Sequence, residues 1–342
     1  MNRIPVEIVS GFLGAGKTTL LNHVLNGTHG QRIAVLVNDF GEINIDAQLI
    51  THVDGETISL ANGCVCCTIR DDLVQAVSDL TERHPLPDSI LIETSGVSDP
   101  TAAAMGIATS TKLSSVVQMD AIVTVVDAEN ALALEGNLKA LAVDQIEGAH
   151  ILIINKTDLV SARAVAEIRS WIREISPRAR IIETSNCEVP TELIFGTTRQ
   201  PFDTGSESHE TATLHAREHS HDEHSTAFAA WSWVSEEPLA FQAIYELFKT
   251  LPLSIFRAKG IVYLSEVPDR RVILQMVGPR VTLSKGEPWN HVQPRSQIVV
   301  IGIAGEFDGR KLTGQFNASI SSNAEPQPNR LAEAVVEILR RP

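Results

Sequence analysis

The eight residues Gly11-Phe12-Leu13-Gly14-Ala15-Gly16-Lys17-Thr18 constrain this chain more than any other stretch. They follow an apolar run, Ile4–Val9, that reads as a buried strand, and they open into Lys17–Asn26, which reads as an amphipathic helix. That is the strand–loop–helix setting in which G-x-x-x-x-G-K-[ST] binds a nucleotide polyphosphate. Glycines without side chains let successive backbone N–H groups converge on phosphate oxygens, and the helix N-terminus adds orphan donors and partial positive charge. Gly11, Gly14, Ala15, Gly16, Lys17, Thr18 and Thr19 are therefore the candidate phosphate residues. Lys17 would reach the β- and γ-phosphates, and Thr18 would offer its hydroxyl to Mg²⁺. A glycine-rich turn with no ligand is the rival reading.

Further along, short apolar runs alternate with helix-like segments. The pattern predicts strands at Ile33–Val37, Ser89–Ile92, Ala121–Val126, Ile151–Ile154 and Arg180–Ile182. It predicts helices at Asp71–Glu82, Thr101–Leu113, Gly136–Ile146 and Ala162–Ile175. Near-continuous Val/Ile/Leu strands separated by helices imply an α/β fold with a mainly parallel sheet, and a ligand beyond the strands' carboxyl ends. Three motifs directly follow strands and so share that edge. Asn155-Lys156-Thr157-Asp158 has the N-K-x-D form that selects guanine. The Asp accepts from N1–H and the 2-amino group, which adenine lacks, so each unmet bond costs about 1–3 kcal/mol. Thr184-Ser185, after the next strand, could pack on the base. Glu93-Thr94-Ser95-Gly96 could hold Mg²⁺ through Glu93 and meet the γ-phosphate through the Gly96 N–H. The bland reading of Glu93 is a helix cap, a role Asp99 before Pro100 fits better. Asn38–Asp46 is the natural switch segment, with Asp46 a candidate to orient the attacking water or a Mg²⁺ water and Glu42 to contact metal; plain solvation is the alternative for both.

Three of the four cysteines, Cys64, Cys66 and Cys67, fall within four residues. A disulfide framework would spread them, and C-x-C-C is not the redox C-x-x-C spacing, so the cluster points to a soft metal ion. A buried set of free thiols is the alternative. Cys187 stands alone and reads as an inert small side chain. The net charge of −14 repels phosphate backbones, which argues against a nucleic-acid partner. No apolar run reaches the roughly 18 residues of a membrane span and no leader pattern opens the chain, so a cytoplasmic protein is expected.

Taken in order, G-F-L-G-A-G-K-T-T-L-L-N, N-D-F-G-E, G-C-V-C-C-T, E-T-S-G and N-K-T-D resemble the CobW-type P-loop GTPases, relatives of the GTPases that insert nickel into urease and hydrogenase. The resemblance continues through Arg257-Ala258-Lys259-Gly260, Trp289 and Ile298–Gly302. It implies a P-loop NTPase fold with a C-terminal CobW-like domain, and a GTP-hydrolysing metallochaperone that takes GTP, Mg²⁺ and a transition metal, Zn²⁺ before Co²⁺ or Ni²⁺. Carried over by position, Cys66 and Cys67 are the metal ligands with Cys64 and Glu42 as partners; Val37 stands where some relatives have Glu, which removes one carboxylate. Hydrolysis should be slow, because no arginine finger or catalytic glutamine stands at an expected place. The partner implied is a client metalloprotein; the oligomeric state stays open. An activator of a cobalt- or iron-dependent enzyme, a metal buffer with vestigial turnover, and a kinase are the competing readings.

The expected organisation is a GTPase domain over residues 1–196, a polar linker over 197–226, an α+β domain over 227–318, and a connector with a terminal helix over 319–342. Within the linker, His219, His221 and His224 could collect a divalent ion as loose auxiliary ligands, or simply be solvated. The third segment predicts strands at Ala229–Val234, Gly260–Ser265, Arg271–Val277 and Ile298–Ile303, and a helix at Leu239–Leu251.

Overall fold

The computed structural model describes residues 3–27, 30–38, 57–60, 68–195, 212–214, 228–324 and 335–339. The chain divides into two units, Met1–Thr198 and Arg199–Pro342. In the first, β1 (Ile4–Gly11), β2 (Ile33–Asn38), β3 (Thr57–Leu60), β4 (Ser89–Glu93), β5 (Val117–Asp127), β6 (Ile151–Asn155) and β7 (Arg180–Glu183) form one sheet in the order β3-β2-β4-β1-β5-β6-β7. Every pairing in it is parallel. Between them run α1 (Lys17–Asn26), α2 (Thr68–Thr81), α3 (Pro100–Ala108), α4 (Gly136–Glu147), α5 (Ala162–Ile175) and, after β7, α6 (Thr191–Phe195).

The strands read as continuous apolar runs because both faces are covered: β4 and β6 are buried along their whole length. One apolar cluster joins Ile8, Leu36, Ile90 and Ile92 to Val77 and Leu80 of α2. Another joins Leu152 and Ile154 to Ile168 and Ile172 of α5, whose first turn is capped by Ser161 accepting from the Ala164 N–H at 3.3 Å. Each such side chain contributes about 1.5–3 kcal/mol by leaving water. β1 lies between β4 and β5, and the connections run to one side of it before β4 and to the other after β5. Its carboxyl end is thus a topological switch point, where open α/β sheets bind their ligands.

The second unit is an antiparallel sheet with helices, ordered β12-β11-β10-β13-β9-β8. Its strands are β8 (Ala212–Leu214), β9 (Phe228–Ser235), β10 (Ile255–Leu264), β11 (Val267–Val277), β12 (Arg280–Pro288) and β13 (Ser296–Ile303). Its helices are α7 (Phe241–Thr250) and α8 (Gly309–Ala318), with a helical turn at 335–339. Trp231, Trp233 and Phe248 all contact the Phe316 ring at 5.3–5.8 Å between centroids, which makes α8 the lid of this core. Gly260 lets β13 approach β10 closely, since a Cβ there would sit 2.5 Å from the Gln297 carbonyl.

Several expectations shift. β3, β12 and α8 were not predicted, β5 begins before Ala121, and α3 stops at Ala108 rather than Leu113. The stretch read as a polar linker contributes β8, which pairs antiparallel with β9. No helix among the described residues is long and apolar enough to cross a membrane.

Candidate functional site

The glycine loop leaves β1 at Gly11 and enters α1 at Lys17 with three glycines at positive φ: Gly11 at 138°, Gly14 at 75° and Gly16 at 114°. These conformations suit glycine, and two are also crowded. A Cβ on Gly11 would lie 2.2 Å from the Val125 carbonyl oxygen, and one on Gly16 would lie 2.4 Å from Asn155 Nδ2. The loop is thereby pressed onto the ends of β5 and β6. Lys17 is buried to 7% exposure, and its ammonium donates to the Phe12 carbonyl at 3.3 Å across the loop.

Asn155 joins the three strand ends. Its Nδ2 donates to the Ala15 carbonyl and its Oδ1 accepts from the Cys187 N–H, both at 2.9 Å. Cys187 is a buried, inert small side chain as the sequence suggested, and it also bridges two loops. At φ 56° its thiol donates to the Gly16 carbonyl at 3.3 Å, and burial pushes its pKa up to about 12 against the opposing Lys156 charge. The thiol therefore stays protonated and acts as a strut. Thr157 ties the same two loops again, its N–H and hydroxyl donating to the Thr184 carbonyl at 3.3 and 3.1 Å. Asp158 is exposed beside this junction, in a turn at Thr157–Leu159.

Lys156 sits at φ 64°, and its ammonium pairs with Asp127 at 2.8 Å. Asp127, at the end of β5, also accepts from the Glu129 N–H and from Asn130 Nδ2. Burial alone would raise this carboxyl, but the bonds from Lys156, Asn130 and the Glu129 N–H outweigh it and hold the pKa below the usual carboxylate range. A depressed carboxyl stabilises the fold above its ordinary pKa of about 3.9 and loses that contribution as pH falls through the lower folded value. Asp127→Asn should therefore flatten the decline in urea midpoint between pH 5 and the acid limit, relative to the parent chain; an unchanged slope would show that the pair adds nothing.

On the opposite flank, Glu93 is 2% exposed at the end of β4, and its Oε1 accepts from the Thr18 hydroxyl at 3.3 Å. A buried carboxylate beside a hydroxyl is an oxygen donor set that suits a hard divalent cation such as Mg²⁺. The helix-cap reading of Glu93 fails: Asp99 caps α3 by accepting from the Thr101 N–H at 2.7 Å, with Pro100 at the first position. Gly96 lies against the glycine loop, so that a Cβ there would meet the Leu13 nitrogen at 2.7 Å. Gln145 of α4, 1% exposed, holds this loop by donating to the Gly96 and Ser98 carbonyls at 3.3 and 3.1 Å.

Lys17, Thr18, Glu93 and Gly96 are therefore brought together, as are the glycine loop and Asn155-Lys156-Thr157-Asp158. Asp127, Gln145 and Cys187 complete the frame; sequence reasoning did not pick out the first two. Asp127 carried the same signal as the predicted motifs, a polar residue directly after a buried strand. Glu42, Asp46, Cys64, Cys66, Cys67, His219, His221 and His224 lie outside the described residues. Among the described residues no cluster of three or more His, Cys, Asp or Glu could hold a metal ion.

A parallel sheet whose switch-point strand ends in a crowded glycine loop feeding a helix defines a P-loop nucleotide-binding protein. The chain belongs to the CobW/HypB/UreG family of P-loop GTPases: the profile described as "CobW/HypB/UreG, nucleotide-binding domain" matches residues 5–183, and "Cobalamin synthesis protein cobW C-terminal domain" matches residues 228–320. It is similar to a protein of Sinorhizobium sp named zinc chaperone CobW, 30% identical over 338 residues that span 88% of this chain and 93% of the other. A Pseudomonas aeruginosa protein of the same name is 31% identical, covering 93% of this chain and 92% of its own. The zinc-regulated GTPase metalloprotein activator 1 of Dictyostelium discoideum is 29% identical, covering 84% of this chain and 68% of its own.

Proposed function

We propose that this chain hydrolyses GTP and uses the nucleotide cycle to hand a transition metal, zinc in first place, to a client metalloprotein. The observation that carries the nucleotide half is the Asn155 bridge, which fixes the phosphate loop and the base-end motif in one frame. The names of the relatives support the metal half.

In this reading Lys17 exchanges its Phe12 carbonyl for β- and γ-phosphate oxygens, and the loop amides of Gly14–Thr19 take the remaining charge. Asp158 accepts from guanine N1–H and the 2-amino group, while the Asp127 tether fixes the Lys156 stem beside it. Thr18 and Glu93 are the residues that would hold Mg²⁺, which supplies charge neutralisation at the phosphates. Asp46 orients the water that attacks the γ-phosphorus, the Gly96 N–H meets the γ-phosphoryl group being transferred, and the bond to the β–γ bridging oxygen breaks, giving GDP and phosphate. Cys66 and Cys67, with Cys64 and Glu42, form the cargo site; His219, His221 and His224 assist it loosely.

The test is Zn²⁺ affinity by chelator competition in paired samples with Mg²⁺-GTP and Mg²⁺-GDP. Reciprocity of coupling requires a metal that senses the nucleotide to change nucleotide affinity by the same factor. A ratio of about tenfold or more, lost in the Cys66→Ala/Cys67→Ala double variant, is expected. Equal affinities in the two states would overturn GTP-gated delivery and leave a metal buffer.

A further inference from the structure

The sheet of the second unit has two faces, and only one is used by its core. Ala258, Val262 and Leu264 of β10 and Val272, Leu274 and Met276 of β11 point into the apolar cluster beneath α7 and α8. Alternation along the strands puts Lys259, Ile261, Arg271 and Ile273 on the opposite face, where all four are half-buried. Val299 and Ile301 on that face are buried, so its open part lies on β10, β11 and β12.

Two properties of this open part stand out. First, its charges are mainly positive. Lys259, Arg271 and Arg280 stand on it in a chain with net charge −14, and the acid that alternation brings to the same side of β11, Asp269, is exposed and pairs with Arg270 at 3.2 Å. Second, the charges are spaced around an apolar pair. Ile261 is directly opposite Ile273, and Lys259 is opposite Gln275. Lys259 lies two residues from Ile261 on one side, and Arg271 lies two residues from Ile273 on the other. Two residues span about 7 Å along a strand, so the cations bracket the isoleucine pair at about 7 Å on each side. Arg271 is also braced: its guanidinium carbon lies 5.3 Å from the Trp289 ring centroid, and Trp289, 5% exposed, packs edge-on against Tyr263 at 6.0 Å. A pre-positioned guanidinium loses less freedom on meeting a carboxylate.

We propose that this face docks an extended acidic segment of another protein with the signature acid–x–apolar–x–acid. Alternate residues of an extended chain repeat at the same distance of about 7 Å, so the two carboxylates meet Arg271 and Lys259 while the apolar side chain lies on Ile261 and Ile273. A nucleic acid fits less well, because base stacking needs an open aromatic face and Trp289 is buried. The surface extends the delivery reading by giving a receiving protein a place to dock. It is testable without nucleotide or metal, so its failure leaves that reading intact.

The experiment titrates the full chain into a fluorescein-labelled peptide carrying two glutamates spaced two residues either side of a leucine, read by anisotropy. Saturable binding is expected, weakened at least about tenfold by Lys259→Glu and by Arg271→Glu and largely kept by Lys259→Arg. Arg280→Glu, on the exposed edge strand β12, gives a milder loss and guards against a misfolded variant, as does an unchanged melting curve. A peptide of equal composition with both glutamates adjacent to the leucine should bind several-fold more weakly. The absence of saturable binding, equal binding of the rearranged peptide, or displacement of the peptide by a single-stranded oligonucleotide at lower concentration would each overturn the proposal.

Discussion

Lys17→Ala lowers kcat/KM for GTP by about 10²–10³-fold while the chain stays folded. The side chain is 7% exposed at the first position of α1, with its ammonium held across the loop by the Phe12 carbonyl. That position is where charge grows on the β- and γ-phosphate oxygens, in a site with little water to share the work. Alanine is a good helix former, and the loop's path is set by Gly11, Gly16 and Asn155, so the variant should melt within a few degrees of the parent. Arginine should not restore activity, because a planar fork on a bulkier head does not replace a compact ammonium in a closed loop. Phosphate release measured over a range of Mg²⁺-GTP concentrations from below to above KM checks this, with circular dichroism as the control. A loss below tenfold would mean that Lys17 does not face the phosphates. The same variant separates carrier from buffer: GTP-driven delivery of metal stops, whereas simple storage persists.

Gly11→Ala gives the largest stability loss, about 3–5 kcal/mol, because two penalties meet at one atom. At φ 138° the backbone is in a region that side chains rarely adopt, and the new Cβ would lie 2.2 Å from the Val125 carbonyl oxygen, backbone of the neighbouring strand. A backbone carbonyl in a parallel ladder cannot rotate aside. Gly16→Ala should cost less, since its Cβ would meet the movable Asn155 amide at 2.4 Å, though it also disturbs the bridge. Gly14→Ala has nothing within 4 Å and carries only the left-handed penalty of about 1–2 kcal/mol. Thermal midpoints should therefore fall in the order Gly11, Gly16, Gly14, the first by roughly 6–20 °C. A Gly14 variant less stable than the Gly11 variant would contradict this account.

The parts of the fold legible in the sequence are those where one signal has one physical cause. Buried parallel strands must be apolar along their length, and this fixed β4 and β6 to within a residue. The glycine loop is legible because its amides need residues without Cβ atoms. Less legible are elements stabilised by a few distant contacts. Thr57–Leu60 is only four residues long, β12 is a polar edge strand with Lys285 and Gly286 in it, and α8 buries only Leu312 and Phe316 among two glycines and five polar or charged residues. Gln145 has no local signal, because the Gly96 carbonyl it holds lies 49 positions away; Asp127 has the strand-end signal, but its pairing with Lys156, 29 positions on, shows only in the folded chain. Cys187 was read as filler because a lone thiol has no local pattern; only the chain crossing brings it to the Gly16 carbonyl.

The strand order has a consequence for synthesis. β1 emerges first from a ribosome, yet its neighbours are β4 and β5, which end at Glu93 and Asp127. β2 pairs with β3 and β4, not with β1. The nascent glycine loop therefore has no rigid base until more than a hundred further residues are made, at about 5–20 residues per second. Asn155, which locks the loop to its partners, arrives later still. Nucleotide can engage a rigid loop only once Asn155 has been made, while the second unit is still to come, and GTP then acts as the ligand that seals the finished first unit.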